Sequence, residues 1–293
     1  MTWKRVATAA VLIPFVVGLV LFGSTVWVAL ALALIVALAM LEYFSLGDAI
    51  GHRAYRVWTV TCGLLLVYAQ WVVTLQASYP LGWGLTLHRL IARFATGLGT
   101  TQDVFFLFVL GVAGLTLWTK RPLVEALPAA GISSSALLLV AYPLSFAVRL
   151  HGWGKEGPRL LLFALVITWA GDTVAYFVGR AIGKHPFAPH LSPKKTWEGA
   201  AASFAGSLLV GLAFSRWLSV PLPHLLVMAG VGNVAGQAGD LLESAYKRSA
   251  GVKDSGALLP GPEDLRAQIA KDIASAARFF SRLRRFRSIR QPA

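Results

Sequence analysis

Three carboxylic acids lie in or beside long apolar runs of this chain. Asp172 sits in TWAGDTVAYFVGR, and Asp240 sits in GQAGDLLESAYKR, followed by Glu243 and Ser244. A charge within or next to an apolar helix costs free energy, so each acid marks a candidate functional position. On a helix, Tyr176 falls one turn after Asp172 and shares its face, as Glu243 and Ser244 do with Asp240. Together Asp172, Asp240 and Glu243 offer the oxygen ligands that a hard cation such as Mg2+ prefers. Each acid could instead reach water or pair with a neighbouring Arg or Lys.

Between the acids runs GRAIGKHPFAPHLSPKKTWEG, a basic loop rich in glycine and proline. Lys184, Lys194 and Lys195 supply compact positive charge. Ser192, Thr196 and the backbone N–H groups that open the next helix could cradle phosphate oxygens. Lys247, Arg248 and Lys253 add charge from the second segment. Carboxylates for a cation beside lysines for phosphates are what phosphoryl or nucleotidyl transfer requires. His185, His190 and His224 lack metal-ligand spacing and read as interfacial residues. No Walker-type loop, zinc motif or Gly-x-Ser-x-Gly elbow occurs.

The elements that must position these groups are membrane helices. The chain is 56% hydrophobic and 14% charged, with a mean hydropathy of +0.65. A soluble domain carries about 25% charged residues, so this chain has too little polar surface for water. The ten tryptophans suit the headgroup region of a bilayer. The net charge of +14 falls mostly in short loops and the tail, which fits anionic headgroups better than nucleic acid. The single cysteine, Cys62, excludes an intrachain disulfide and a cysteine metal cage.

The expected fold is all-α and polytopic, with about eight spans. They cover Val6 to Phe22, Val26 to Met40, Val57 to Val73, Val104 to Trp118, Ile132 to Val148, Leu160 to Val178, Ala200 to Trp217 and Leu222 to Leu242. The first two read as an uncleaved hairpin rather than a signal peptide. Ala77 to Gln102 reads as a loop with a short interfacial helix. With Lys4 and Arg5 in the cytoplasm, parity places His52, Arg53, Arg56, Lys120, Arg121, Arg180 to Lys195 and Lys247 to Lys253 on the same, cytoplasmic side. The organisation is residues 1–159 as N-terminal helices, 160–261 as a catalytic membrane region, and 262–293 as a basic amphipathic tail.

These residues resemble the phosphatidate cytidylyltransferases (CDP-diacylglycerol synthases). KRVATAAVLIPFVVGLVLF is similar to that family's opening span. WAGDTVAYFVGRAIGKHPFAPHLSPKKTWEG is similar to its central motif, and GNVAGQAGDLLESAYKR with AGVKDSGALLPG to the first part of its C-terminal signature. The resemblance implies that CTP and phosphatidate give CDP-diacylglycerol and pyrophosphate, with Mg2+ (and room for a second cation) neutralising the triphosphate. It makes Asp240 the metal-ligand candidate, with Glu243 and Asp172 nearby. Lys194, Lys195, Lys247 and Arg248 would hold phosphates, and Ser192, Thr196 and Glu198 would shape the loop. Tyr176, Arg180, Lys184 and Ser244 complete the substrate-binding set, and Lys253 and Asp254 carry over from the family's Lys-Asp-Ser-Gly element. The expected setting is the inner (plasma) membrane with the site facing the cytoplasm. The expected partners are CTP, phosphatidate, membrane lipids and a second copy in a homodimer.

After Gly261 the likeness stops. The family continues with His-Gly-Gly-x-x-Asp-Arg-x-Asp and a further helix; here PEDLRAQIAKDIASAARFFSRLRRFRSIRQPA follows, with Asp264 near the expected carboxylate. A shifted frame or a replaced C-terminus would produce such a break. The alternatives are therefore a catalytically impaired homologue and, from another class, a membrane transporter. A transporter would hold its ionisable groups near the midplane and show repeat symmetry.

Overall fold

The computed structural model describes residues 2–78, 100–119 and 121–252. Its helices are α1 (Thr2–Phe22), α2 (Thr25–Ala49), α3 (Arg56–Ser78), α4 (Thr101–Trp118), α5 (Ala126–Ala136), α6 (Tyr142–His151), α7 (Gly157–Ile182), α8 (Trp197–Phe214) and α9 (Leu222–Ser249). Among the described residues, seven helical stretches are long and apolar enough to cross a membrane. At the place of the first expected span, the described apolar part of α1, Val11–Phe22, is a shorter apolar helix. The chain is thus an all-α polytopic membrane protein, as its hydropathy leads one to expect.

Two differences from the expected boundaries affect the site. α7 runs on to Ile182 and α9 to Ser249, so Arg180 stands on the same helix as Asp172, and Lys247 and Arg248 on the same helix as Asp240. The basic loop is no irregular loop either. Its strands β1 (Pro186–Ala188) and β2 (Ser192–Thr196) pair antiparallel, with Pro186 opposite Thr196 and Ala188 opposite Ser192. Prolines at 186 and 193 remove ladder donors, which two-stranded edges tolerate. The expected interfacial helix in 77–102 falls largely on residues outside those described, and so do Lys253, Asp254 and the tail.

α5 and α6 form one span joined by a π-helical turn, Leu137–Ala141. Pro143 follows directly and lacks the N–H that would bond the carbonyl of Leu139. The wider turn absorbs that vacancy without breaking the span.

The N-terminal half packs around large apolar side chains: Val36, Met40 and Phe44 of α2, Cys62 and Leu66 of α3, Phe108 of α4, Leu137 of the π turn and Val148 of α6. A second cluster joins Leu160, Phe163 and Ile167 of α7 to Leu225 and Ala229 of α9. A third ties Val20 of α1 and Val28 of α2 to Leu161 and Leu162. Cys62 is fully buried in the first of these clusters, as its place in an apolar run suggests.

Polar contacts sort the loops into two ends. At one end His52 meets Glu125 at 3.3 Å, Arg121 Nη1 donates to the Arg53 carbonyl at 2.8 Å, Arg56 pairs with Asp48, and Tyr43 packs edge-on against Tyr246. At the other, His151 lies between Thr25 Oγ1 at 3.1 Å and the Val20 carbonyl at 3.0 Å, and Arg159 stacks on Trp217. The described basic segments that parity assigned to one side share one end of the bundle, joined through Tyr43 with Tyr246, Arg248 with Leu191 and Lys195 with Asp240. Lys120 and Lys253 lie outside the described residues.

Candidate active site at the basic end of the bundle

α7, α8 and α9 form the frame of the site, and α8 brings them close by carrying small residues at every fourth position. Gly199, Ser203, Ser207 and Gly211 are all buried. In lipid, apolar attraction does little to hold helices together, and small residues let backbones approach closely. A Cβ on Gly199 would sit 2.9 Å from the Ala175 carbonyl oxygen of α7, and one on Gly211 would sit 3.3 Å from the Leu225 carbonyl oxygen of α9.

Along this trio the chemistry changes in layers. The apolar cluster of Phe163, Ile167, Leu225 and Ala229 comes first. Next is a buried polar seam. Asn233 donates from Nδ2 to Ser203 Oγ and to Ser207 Oγ, both at 2.8 Å, and its Oδ1 accepts from Gln237 Nε2 at 2.6 Å. Gln237 also reaches the Ala200 carbonyl at 3.3 Å. The third layer is charged. Lys195 of β2 pairs with Asp240 of α9, and Asp172 of α7 lies within electrostatic reach of both. The side chain of Lys195 is 27% exposed and that of Asp240 is 57% exposed, so the ion pair is open to an incoming solute.

The hairpin that delivers Lys195 is fastened at both ends. Thr196 caps α8, its hydroxyl accepting from the Gly199 N–H at 3.2 Å. Glu198 closes back on the loop: it accepts from the His185 backbone N–H at 3.3 Å, and its Oε1 lies 2.6 Å from His185 Nδ1. Trp197 N–H donates to the His185 carbonyl, and its ring meets Phe187 edge-on. At the turn, Arg248 Nε of α9 donates to the Leu191 carbonyl at 3.4 Å.

The residues singled out from the sequence therefore fall into groups. Asp172, Lys195 and Asp240 come together. Tyr176 and Arg180 form their own pair, Arg180 Nη1 donating to the Tyr176 hydroxyl at 2.9 Å, on an exposed face of α7. Thr196, Glu198 and Arg248 hold the hairpin. Lys194 is exposed and, by strand alternation, faces away from Lys195. Lys184 is exposed at the hairpin's entry, and Ser192 opens β2 opposite Ala188. Glu243 pairs with Lys247 on its own helix, one turn beyond Asp240, and Ser244 lies half-buried beside it. Lys253 and Asp254 lie outside the described residues.

Among the described residues, no three His, Cys, Asp or Glu side chains converge as a metal cage. The Asp172 and Asp240 carboxylates nevertheless suit Mg2+, which commonly binds through one or two carboxylates and completes its shell with water and substrate phosphates. Their donor chemistry fits, and Glu243, paired with Lys247, stands one turn beyond Asp240.

Two features lie outside what the sequence leads one to expect: the seam of Asn233, Gln237, Ser203 and Ser207, and the contact of Glu198 with His185. The seam had a signal: small residues four apart on α8, facing an amide pair four apart on α9.

Comparison with known proteins accords with this arrangement. A sequence model described as the cytidylyltransferase family matches residues 3–262. A phosphatidate cytidylyltransferase of Brucella abortus is 32% identical over 243 residues, covering 78% of this chain and 83% of its own length. Proteins of the same name from Staphylococcus saprophyticus and Bacillus subtilis are 40% identical over 127 residues and 35% identical over 133 residues. Each of these two matches spans 49% of the relative's length. The family model runs through Asp172, Lys195 and Asp240, and with the Brucella match it shows that the chain belongs to the cytidylyltransferase family.

Proposed function

We propose that this chain is a phosphatidate cytidylyltransferase working at the cytoplasmic face of the inner (plasma) membrane. The observation that carries the reading is the Lys195–Asp240 pair with Asp172 beside it, at the basic end of three membrane helices. One substrate, phosphatidate, is anchored in lipid and the other, CTP, is dissolved in water. A charged layer at the end of a helix trio is where the two can meet.

In the proposed reaction a phosphate oxygen of phosphatidate bonds to the α-phosphorus of CTP. The bond from the α-phosphorus to the bridging oxygen breaks, and that oxygen leaves with pyrophosphate. Asp172 and Asp240 would hold Mg2+, which when bound neutralises phosphate charge and orients the reacting groups. Lys195, presented by the fastened hairpin, would release its hold on Asp240 and turn to a phosphate oxygen, a compact charge suited to that task. Lys194, Lys184 and Arg180 surround the entry with further positive charge, which would draw in the triphosphate. Lys247 and Arg248 extend that charge along α9. A homodimer belongs to the same reading, and native mass spectrometry in detergent would measure it.

Purified chain in detergent, given CTP, phosphatidate and Mg2+, should release pyrophosphate and form CDP-diacylglycerol. One observation favours a second reading, an impaired homologue: the departure from the signature after Gly261. Absence of turnover in the chain as it stands, with recovery on grafting a His-Gly-Gly-x-x-Asp-Arg-x-Asp tail, would establish that reading instead.

A further inference from the structure

Asn233 is buried in the middle of a membrane helix, only 6% exposed, yet its amide is fully used. Both Nδ2 hydrogens go to serine hydroxyls of α8, Ser203 and Ser207, which are themselves 2% and 0% exposed. Its oxygen takes the Gln237 amide, and Ser207 Oγ lies 3.4 Å from the Ile167 carbonyl of α7. The seam thus touches all three helices at one level.

Two features link that level to the acids. Gly171, the residue before Asp172, fits against the seam so closely that an added Cβ would lie 2.7 Å from Asn233 Nδ2, 3.0 Å from Ser203 Oγ and 3.2 Å from Ser207 Oγ. Asp240 lies seven residues after Asn233, two helical turns along nearly the same face. The Asn233 amide therefore packs against the residue next to one acid and belongs to the same helix as the other.

We propose that Asn233 is a positioning residue: its amide sets the axial register of α9 against α7 and α8, and thereby the separation of Asp240 from Asp172. A slide of α9 by one turn, about 5.4 Å, would part the amide from one of its two serines and put Gly199 or Gly211, which offers no hydroxyl, in that serine's place. The observed register gives the amide both serine hydroxyls at once, and a buried polar network favours the arrangement that satisfies it most fully. This inference rests on the proposed cytidylyltransferase reading for its effect on rate, but not for its effect on geometry.

The test uses the full chain in detergent with Cys62→Ala, which removes the one native thiol. In that background a cysteine pair, Asp172→Cys with Asp240→Cys, is exposed to a short bifunctional thiol reagent, with and without Asn233→Leu. The amide-free variant should lower cross-linking severalfold. In chains that keep both acids, Asn233→Leu should cut kcat by about 10-fold to 100-fold, the scale of a misplacement near 1 Å. The CTP KM should stay within about twofold, and the Mg2+ concentration for half-maximal rate should rise. Should Asn233→Leu fail to fold, Ser203→Ala with Ser207→Ala, which removes only two oxygens, decides the matter by the same readouts. Unchanged cross-linking with lowered thermal stability alone would overturn the proposal and leave Asn233 as ordinary packing. Cross-linking that depends on Asn233 in a chain with no cytidylyltransferase activity would leave the register claim standing and remove the functional reading instead.

Discussion

The two halves of this bundle are held together by different means. α2 to α6 interlock through bulky groups such as Met40, Phe44, Leu66, Leu137 and Val148, each fully buried. α7 to α9 bury Gly171, Gly199, Ser203, Ser207, Gly211 and Asn233 at their contacts. Bulky packing fills space but tolerates small slides, because dispersion has little direction. Close backbones joined by hydrogen bonds fix a register. The half that carries the acids is the half built for fixed geometry.

Four substitutions probe this contrast. Phe44→Ala, in the bulky half, should have the largest effect on stability, about 3–5 kcal/mol from the cavity it leaves, read as a lower Tm in detergent. The rate per folded molecule should hardly change; a comparable loss of rate would show that the halves are not separable in this way. Lys195→Met should do the reverse. The CDP-diacylglycerol rate should fall about 100-fold, equivalent to about 2.7 kcal/mol in the barrier, while Tm moves little, since the ion pair is partly exposed.

Gly199→Val should cost about 1–3 kcal/mol, because its side chain must push against the Ala175 carbonyl. It should also lower the rate, because α8 would move off α7, whereas a bulky-half substitution of equal cost should not. The smallest effect is expected for Glu198→Gln. Losing the charge that clasps His185 should speed hydrogen exchange through 184–188 with little change in Tm. Exchange confined to its former rate would show that Trp197 and Thr196 hold the hairpin alone.

Much of the architecture was legible in the sequence because hydropathy reports directly on membrane spans. Asp172 and Asp240 stood out because an acid beside an apolar run is rare, and parity placed their segments at one end. The spans of α7 and α9 were drawn too short because the helices continue into polar residues, where hydropathy falls but backbone hydrogen bonding need not. The hairpin at 186–196 was hidden because its prolines and lysines resemble a coil; its pairing depends on anchors at Glu198 and Arg248 that lie outside the loop. The seam went unseen because serine and glycine on α8 look bland one at a time. Only their spacing against Asn233 gives them meaning. Glu243 stands one turn beyond Asp240, as the spacing requires, and pairs with Lys247 on the same helix.

Whether the reaction occurs at the charged end of α7 to α9 is read in the rate at which purified Asp240→Asn forms CDP-diacylglycerol from CTP and phosphatidate, relative to the parent chain at matched folded concentration. This change keeps the shape of the side chain and removes only its charge. A fall of about 1,000-fold or more, with an unchanged Tm, is the expected result. A rate within about threefold of the parent would place the chemistry elsewhere in the protein.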